Sequence, residues 1–389
     1  MEQNTEKKLT KYDRKILARQ AAAKREQRNR IISMIAVAAV VVCIVAVVVL
    51  VPIMRRRKAL REYMKINDIS VSQLEFSYYK YGILNSYAQF LPYLGLDTSV
   101  PFDQQIYDSQ TGMTWNDFFE QQAAISVRET KAMINDITKR GLTFDVTEDY
   151  DIYMAAMRES AAEASMSLNK YLSSSLGVSA TEKSLEPIIK EDLTALAYYS
   201  YLSGEELAAT DEDAQKEYDE NKNDYDSVDY RVLEFAADVT AESTEDEIAA
   251  AMEAAAKRAQ EMLDKLKAGE DFETLCASYA PEDKREDYAD SETDKSLVTG
   301  ATTTSSFSSY TEWLFEEERT EGESTLFTDE DRNTCYVLLF EKRYLADTVM
   351  DNIKQTLTYN AVTDYISTLT GDYIITDPHG NLGFMNLSY

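Results

Sequence analysis

The sequence predicts an α+β protein that is attached to a membrane by a single transmembrane helix. Three observations predict this class. A long uncharged apolar run lies near the N-terminus, and a region with helical periodicity and capping signals follows it. From Val228 onwards the pattern changes to strands interleaved with helices. The chain has 389 residues, which is enough for more than one domain.

The apolar run covers residues 31–54 and contains 24 residues without a charged side chain. As an α-helix it would be roughly 36 Å long, and the hydrocarbon core of a bilayer is about 30 Å thick. Basic residues follow the run at 55–58, where a cleaved signal peptide would have small residues. The sequence therefore predicts a retained transmembrane helix over 31–54, preceded by a basic tail over 1–30.

The orientation of this helix is not decided by the flanking charges. Seven basic residues lie between positions 14 and 30, and six lie between positions 55 and 65, so the positive-inside rule gives almost no preference. A short tail ahead of a first and only span usually stays inside. We therefore expect a single-pass protein of the cell membrane, with its N-terminus cytoplasmic and its C-terminal part extracytoplasmic.

Charge is distributed very unevenly along the chain. Residues 1–65 carry 16 basic and 5 acidic side chains, which leaves 24 basic and 64 acidic side chains, a net charge of −40, for the rest. Such a field repels phosphate backbones, so we expect no nucleic-acid partner. It favours solubility and basic or cationic partners, and an acidic solvated surface without a specific partner is the favoured explanation.

The cysteine and histidine content excludes several chemistries. The three cysteines show no Cys-x-x-Cys spacing, which argues against zinc and thioredoxin-like sites. Cys276 and Cys335 lie in apolar segments and are expected to be buried thiols, with an isolated disulfide between them as the alternative. The single histidine, His379, lies in a Pro-His-Gly turn, so a Ser-His or Cys-His catalytic unit is not expected. The sequence predicts neither a metal site nor a cofactor.

Residues 66–227 are predicted to be mostly helical. Ser72 begins a capping-box pattern ahead of a helix that runs towards Pro92, and Thr114 caps a second helix that Gly141 ends. Further helices are expected at 147–174, 180–203 and 211–221. The first helix carries an apolar, mainly aromatic stripe, which is either core or a groove for extended apolar client segments. The stripe consists of Phe76, Tyr79, Ile83, Tyr87 and Phe90.

Residues 228–345 are predicted to form an α+β domain. The expected elements are a strand at 229–236, a helix that Thr244 caps and Gly269 ends, a helix at 271–279, a short aromatic helix at 310–315 and a hairpin over 324–343. The last strand, 335–340, is continuously apolar. This pattern is typical of a central strand that is covered on both faces.

Two motifs in this region resemble the parvulin-type peptidyl-prolyl isomerase domain. Gly269–Leu275 resembles the family's Gly-x-Asp-Phe-x-x-Leu element. Tyr310 and Phe315 match the spacing of its Phe-x-x-Ala-x-Phe helix, which precedes a Gly-Glu pair at Gly322 and Glu323 here.

The segments ahead of this domain extend the resemblance. Ala209–Asp213 and Glu217–Lys222 resemble the lead-in segment of the PrsA/SurA family of extracytoplasmic foldases, and the likeness covers about 66–375. It implies a helical chaperone domain with an inserted isomerase-like domain. A C-terminal helix within 346–375 would complete the helical domain, and a tail would follow at 376–389.

The resemblance also implies partners and a site. The partners would be unfolded or partly folded exported proteins, and no cofactor would be needed. Tyr310, Trp313 and Phe315 would contribute to a substrate-binding pocket.

The catalytic positions depart from the family pattern. Active parvulins carry a histidine in the first strand and another in the last strand, and Arg231 and Tyr336 stand at those positions here. The acidic or cysteine position corresponds to Glu282 or Asp283, and a glycine-rich stretch is replaced by the glycine-free segment 289–298. We therefore expect a degenerate site at Arg231, Asp283 and Tyr336. The alternatives are an active isomerase that uses these three residues and a scaffold for cell-envelope assemblies.

Overall fold

The computed structural model describes residue 40 and residues 50–288, 294–305 and 309–387. Most of the predicted transmembrane helix, and the whole basic tail, lie outside the described residues; residues 50–59 are helical. Within the described ranges, no helix combines the length and the apolar composition that crossing a membrane requires. The described part is a mixed α+β structure made mostly of helices.

The chain forms two compact units. The helical unit contains the described residues up to Leu202 together with those from Val362 onwards, and the α+β unit contains Ser203–Ala361. The chain thus leaves the helical unit once, builds the α+β unit and returns.

The first part of the helical unit begins with a strand pair. Its elements are β1 (Glu62–Ile66), β2 (Ile69–Ser72), α1 (Gln73–Tyr87), β3 (Ile106–Asp108), β4 (Met113–Thr114), α2 (Trp115–Arg140), α3 (Thr147–Glu163), α4 (Leu168–Leu176) and α5 (Glu182–Tyr201). Ser72 and Thr114 cap α1 and α2, and Gly141 ends α2 with a φ of 68°. The full capping box forms at Thr114. At Ser72 only the bond from the Glu75 N–H to the serine hydroxyl is present, because the Glu75 carboxylate pairs with Lys131.

The region predicted as one helix over 147–174 forms two helices. Ser165 adopts a left-handed φ of 54° after α3. Its N–H donates to the carbonyl of Ala162, and the N–H of Met166 donates to that of Ala161, which is the Schellman pattern of a helix end. A serine occupies the position where glycine usually marks this turn, so no helix-breaking residue is visible in the sequence.

The α+β unit contains one four-stranded sheet. Its elements are α6 (Asp211–Glu220), α7 (Lys222–Tyr225), β5 (Ser227–Ala236), α8 (Glu245–Lys267), α9 (Phe272–Tyr279), β6 (Leu297–Ala301), α10 (Thr311–Leu314), β7 (Ser324–Asp329) and β8 (Thr334–Tyr344). Helix α11 (Val349–Thr370) begins in this unit and ends in the helical unit, to which β9 (Ile375–Thr376) belongs. The sheet is antiparallel with the order β6-β5-β8-β7. The apolar strand β8 is therefore internal, as its composition predicted.

Different elements cover the two faces of this sheet. Helices α8 and α9 pack on one face, through a core that includes Leu233, Met262, Leu275 and Val337. The short helix α10 packs on the other face. The core there consists of Val228, Tyr230, Ala301, Tyr310, Leu314, Phe315, Tyr336, Leu338 and Phe340.

The C-terminal residues belong to the helical unit. Helix α11 lies within the predicted range 346–375, and β9 pairs with β1 through Lys65 and Thr376. Leu382, in the segment interpreted as a tail, is 0% exposed and packs in the core of the helical unit. The segment 376–387 thus contributes Leu382 and Phe384 to that core.

Candidate functional site

Arg231 occupies the first predicted catalytic position, and its side chain is bound by carboxylates. Its Nε donates to Glu341 at 2.7 Å, and its guanidinium pairs with Glu273 at 2.7 Å and with Asp294. It also donates to the hydroxyl of Ser296 at 3.1 Å. The side chain is only 15% exposed. Arg231 is therefore a largely buried cation whose donors are already engaged.

The carboxylate of Asp294 is stabilised in its charged form. Burial alone would raise the pKa of Asp294, but hydrogen bonds from the hydroxyl and backbone N–H of Ser296, together with Arg231, lower it. Burial raises the pKa of the nearby Cys276 thiol to about 12. Cys276 and Cys335 are both buried and free, so the prediction of buried thiols is confirmed and the disulfide alternative is wrong.

Tyr336 lies on the opposite face of the sheet from Arg231. In the pairing of β5 with β8, Glu234 is opposite Tyr336, and Arg231 is opposite Leu339. Side chains alternate between faces along a strand, so Tyr336 shares a face with Glu234, whereas Arg231 points towards α9. The structure does not bring these two positions together.

Tyr336 belongs to a cluster of three tyrosines on one face of the sheet, which the sequence did not reveal. The hydroxyls of Tyr230 and Tyr310 are 3.4 Å apart, and the ring of Tyr310 lies 5.6 Å from that of Tyr336. All three side chains are buried. Tyr230 precedes Arg231 by one position. Only the strand register shows that the side chain of Tyr230 lies on the same face of the sheet as Tyr336. The sequence alone therefore did not reveal the cluster.

The predicted pocket residues, which lie on α10 and at its two ends, belong to this same aromatic cluster. Tyr310 and Phe315 are 5% and 4% exposed, so they act as core. Trp313 is partly exposed, and the guanidinium of Arg319 lies 4.2 Å from its ring centroid. Asp283 is exposed on the 3-10 turn that follows α9. The predicted residues therefore do not form one open site.

The helical unit contains a cavity of about 470 Å³ with a mainly apolar lining. We call it the tyrosine groove. Helices α1, α2, α3 and α5 supply most of its lining residues, and Ile366 on α11 adds one more. Its aromatic residues are Tyr78, Tyr79, Tyr81, Tyr153 and Tyr199, and its methionines are Met133 and Met157.

The aromatic stripe predicted on α1 is divided between this groove and the core. Tyr79 and Ile83 line the groove, whereas Phe76 is 2% exposed and stacks on Tyr63 at 4.7 Å. Phe90 lies beyond the end of α1 and is 50% exposed. The stripe therefore contributes both to the core and to the wall of a groove.

Two carboxylates lie among the apolar residues of the tyrosine groove. Asp192 accepts a hydrogen bond of 2.7 Å from the hydroxyl of Tyr78, and Glu129 lines the groove from α2. Burial raises the pKa of both carboxyl groups. This arrangement could not be read from the sequence, because the residues come from helices that are distant in sequence. Among the described residues, no cluster of His, Cys, Asp and Glu is arranged to hold a metal ion.

The structure is thus a helical unit with an aromatic groove and an inserted α+β unit, and similar solved structures are foldases and SurA-like chaperones. The foldase PrsA from Streptococcus pneumoniae is 17% identical, with a TM-score of 0.23 over 64% of this chain and 82% of that one. A structure of the related SurA-like chaperones PEB4 and Cj1289 from Campylobacter jejuni is 10% identical, with a TM-score of 0.25 over 82% of this chain and 99% of that one.

A third structure, the foldase PrsA from Lactococcus lactis, is 13% identical, with a TM-score of 0.27 over 82% of this chain and 95% of that one. No protein-family model matches the sequence, and no curated protein matches it. The matched structures are of the PrsA/SurA type that the motifs predicted.

Proposed function

We propose that this protein is a membrane-anchored extracytoplasmic holdase or foldase that binds unfolded segments of exported proteins. The tyrosine groove is the observation that carries the proposal, since an apolar, aromatic-walled cavity of about 470 Å³ can shield apolar side chains from aggregation. The strongly acidic composition after residue 65 keeps such a complex in solution.

Anchoring and export are the parts of this proposal that rest on sequence alone. The support is the uncharged run at 31–54 and the basic residues at 55–58 that follow it. Protease added to intact cells should digest the α+β unit. Protection of that unit until the membrane is broken would contradict export.

A chaperone without isomerase activity agrees best with the sheet geometry. Catalysis of prolyl rotation needs a polar network that favours the twisted amide over the planar one. Arg231 is engaged by three carboxylates, and Tyr336 lies on the other face of the sheet. Neither residue is positioned to act with the other, so we infer that the site is degenerate.

The groove can be tested by filling it. Gly82 lines the groove from α1, and a Cβ at this position would meet no atom within 4 Å. Gly82→Leu should therefore fold normally, aided by the higher helix propensity of leucine, and place its side chain at the groove. We expect full-length Gly82→Leu to lose most of its ability to suppress aggregation of a denatured client.

The matched control is Ala155→Leu, which adds a leucine at an exposed position of α3 outside the groove lining. It should suppress aggregation as the unchanged protein does. Equal activity of the Gly82→Leu and unchanged proteins would overturn the groove as the client site.

A proline-limited refolding assay, run on the same preparations, tests the isomerase alternative. Uncatalysed isomerisation takes tens to hundreds of seconds, so modest catalysis would be visible. We expect rates near background. Strong catalysis that disappears in Tyr336→Phe or Asp283→Ala would establish the alternative instead.

A further inference from the structure

The tyrosine groove contains negative charge without a matching cation in its lining. Asp192 and Glu129 are its charged lining residues, and neither makes an ion pair with a described residue. The hydroxyl of Tyr78 is the hydrogen-bond donor to Asp192. Arg128, adjacent to Glu129 in sequence, compensates part of the charge of Glu129, but it is not among the lining residues.

The lysines that lie closest in sequence to Glu129 and Asp192 pair with other carboxylates. Lys190, two residues before Asp192, pairs with Glu186 at 2.7 Å. Lys131 pairs with Glu75 at 2.6 Å and with Glu191 at 2.7 Å, and its side chain is 10% exposed. It therefore satisfies two other carboxylates. The charge of Glu191 adds to the effect of burial in raising the pKa of Asp192.

The walls around these carboxylates suit a cation with an apolar neighbour. Tyrosine rings attract ammonium and guanidinium groups through their faces, and a partly desolvated carboxylate forms strong charge-assisted hydrogen bonds with the same groups. Met133, Met157 and Ile83 supply adaptable apolar surface beside them. A purely apolar ligand would leave Asp192 and Glu129 further desolvated and unpaired, which is costly.

We propose that the tyrosine groove selects client segments in which a lysine or arginine lies next to aromatic or aliphatic residues. This inference rests on the proposed function and specifies the client chemistry of the same groove. The apolar side chains displace water from the groove, and the cation pairs with Asp192 and Glu129.

The test measures peptide binding to the full-length chain in nanodiscs of phosphatidylcholine, a lipid without net charge. Three fluorescent peptides share one Tyr- and Leu-containing core and differ at one adjacent position, which is lysine, its uncharged analogue norleucine, or glutamate. A fourth peptide carries the lysine at the end of a Gly-Ser spacer. It reports the general attraction of a cation to a chain of net charge −29.

We expect the adjacent-lysine peptide to bind about tenfold more tightly than the norleucine peptide, as for one hydrogen-bonded charge pair. The spacer peptide should show little of this gain. In the double variant Asp192→Asn, Glu129→Gln the preference should fall below about twofold, with norleucine-peptide binding retained. The variant Asp151→Asn, Glu159→Gln removes the same charge from exposed positions on α3 and should keep the preference.

Equal binding of the lysine and norleucine peptides, or a preference that survives in the groove double variant, would overturn the proposed selectivity. Either result would leave the groove as a binder of apolar segments. Loss of all peptide binding would be a different outcome, because it contradicts the proposed function itself. Insensitivity of binding to Gly82→Leu would do the same.

Discussion

Arg231 was predicted to stand at a degenerate catalytic position of the family pattern, and its role follows from contacts with residues that lie far away in sequence. Glu273, Asp294 and Glu341 come from three different segments and meet at this guanidinium. The strand and its residue type were readable from the sequence. The convergence of three carboxylates depends on sheet register and helix packing, which local patterns do not encode.

Arg231→Leu should destabilise the α+β unit strongly. The change leaves three carboxylates without their cation, and removing one partner of a buried ion pair costs about 3–5 kcal/mol of unfolding free energy. The measurement is urea unfolding followed by Trp313 fluorescence in a Trp115→Phe background, since the chain has 2 tryptophans. Arg332→Leu is the control, because its side chain is 60% exposed and its ion pair with Asp329 is long, at 3.9 Å. An unchanged free energy of unfolding in Arg231→Leu would refute the structural role of Arg231.

Asp192→Asn should raise the free energy of unfolding of the helical unit, relative to the unchanged protein, by more at pH 7 than at pH 4. Burial raises the folded-state pKa of Asp192 above the ordinary value of about 4. The unchanged protein therefore loses stability as pH rises from that value through the raised pKa, because charging a buried carboxyl is unfavourable. Asparagine cannot charge and still accepts the hydrogen bond from Tyr78. Urea unfolding at both pH values measures this, and a pH-independent difference would contradict it.

At the scale of elements, the starts and ends of helices were predicted best where a single local residue caps or ends the helix. The Thr244 cap of α8 and the Gly141 end of α2 were both readable, since capping involves residues within one turn. The end of α3 was missed because Ser165 replaces glycine in a left-handed turn. The sequence suggested a groove along α1 only, and it did not show the walls that α2, α3 and α5 supply, because these helices lie far apart in sequence.

Gly383 links the C-terminal segment to the cap of α2. A Cβ at this position would clash with the carboxylate of Asp117, which accepts hydrogen bonds from the backbone N–H of Thr114 at 3.1 Å and from its hydroxyl at 2.7 Å. Gly383→Ala should therefore displace Asp117 and cost about 1–2 kcal/mol, the usual cost of losing a cap. Trp115, the first residue of α2, reports unfolding in a Trp313→Phe background.

A double-mutant cycle with Thr114→Ala tests whether the alanine acts through the cap. If it does, the two changes should be strongly non-additive, because each removes the same interaction. Additive effects would show that Gly383→Ala acts on packing elsewhere in the segment.

At the scale of the whole molecule, the order of units was predictable, whereas the extent of the α+β unit depends on side-chain contacts. Asp226, just outside the predicted range 228–345, pairs with Arg343 at 2.6 Å and accepts from Tyr218 at 2.9 Å. Asp211 pairs with Lys354 at 2.8 Å. The change from a helical to a strand pattern at Val228 marks the start of the sheet. The contacts that stabilise the α+β unit also involve residues that precede Val228.

A fragment of residues 203–361 should therefore be more stable than a fragment of residues 228–345. The shorter fragment keeps Arg343, whose side chain is 17% exposed, but it removes Asp226, whose side chain is 6% exposed. Removing the partner of a buried charge costs about 3–5 kcal/mol, although the hydrogen bond from Arg343 to the carbonyl of Phe315 remains. Thermal unfolding of both fragments, followed by circular dichroism, measures the difference in melting temperature.

Arg343→Leu should narrow this difference in melting temperature, because the shorter fragment then no longer carries an unpaired cation. Equal melting temperatures of the two unchanged fragments would mean that 228–345 is already a complete folding unit.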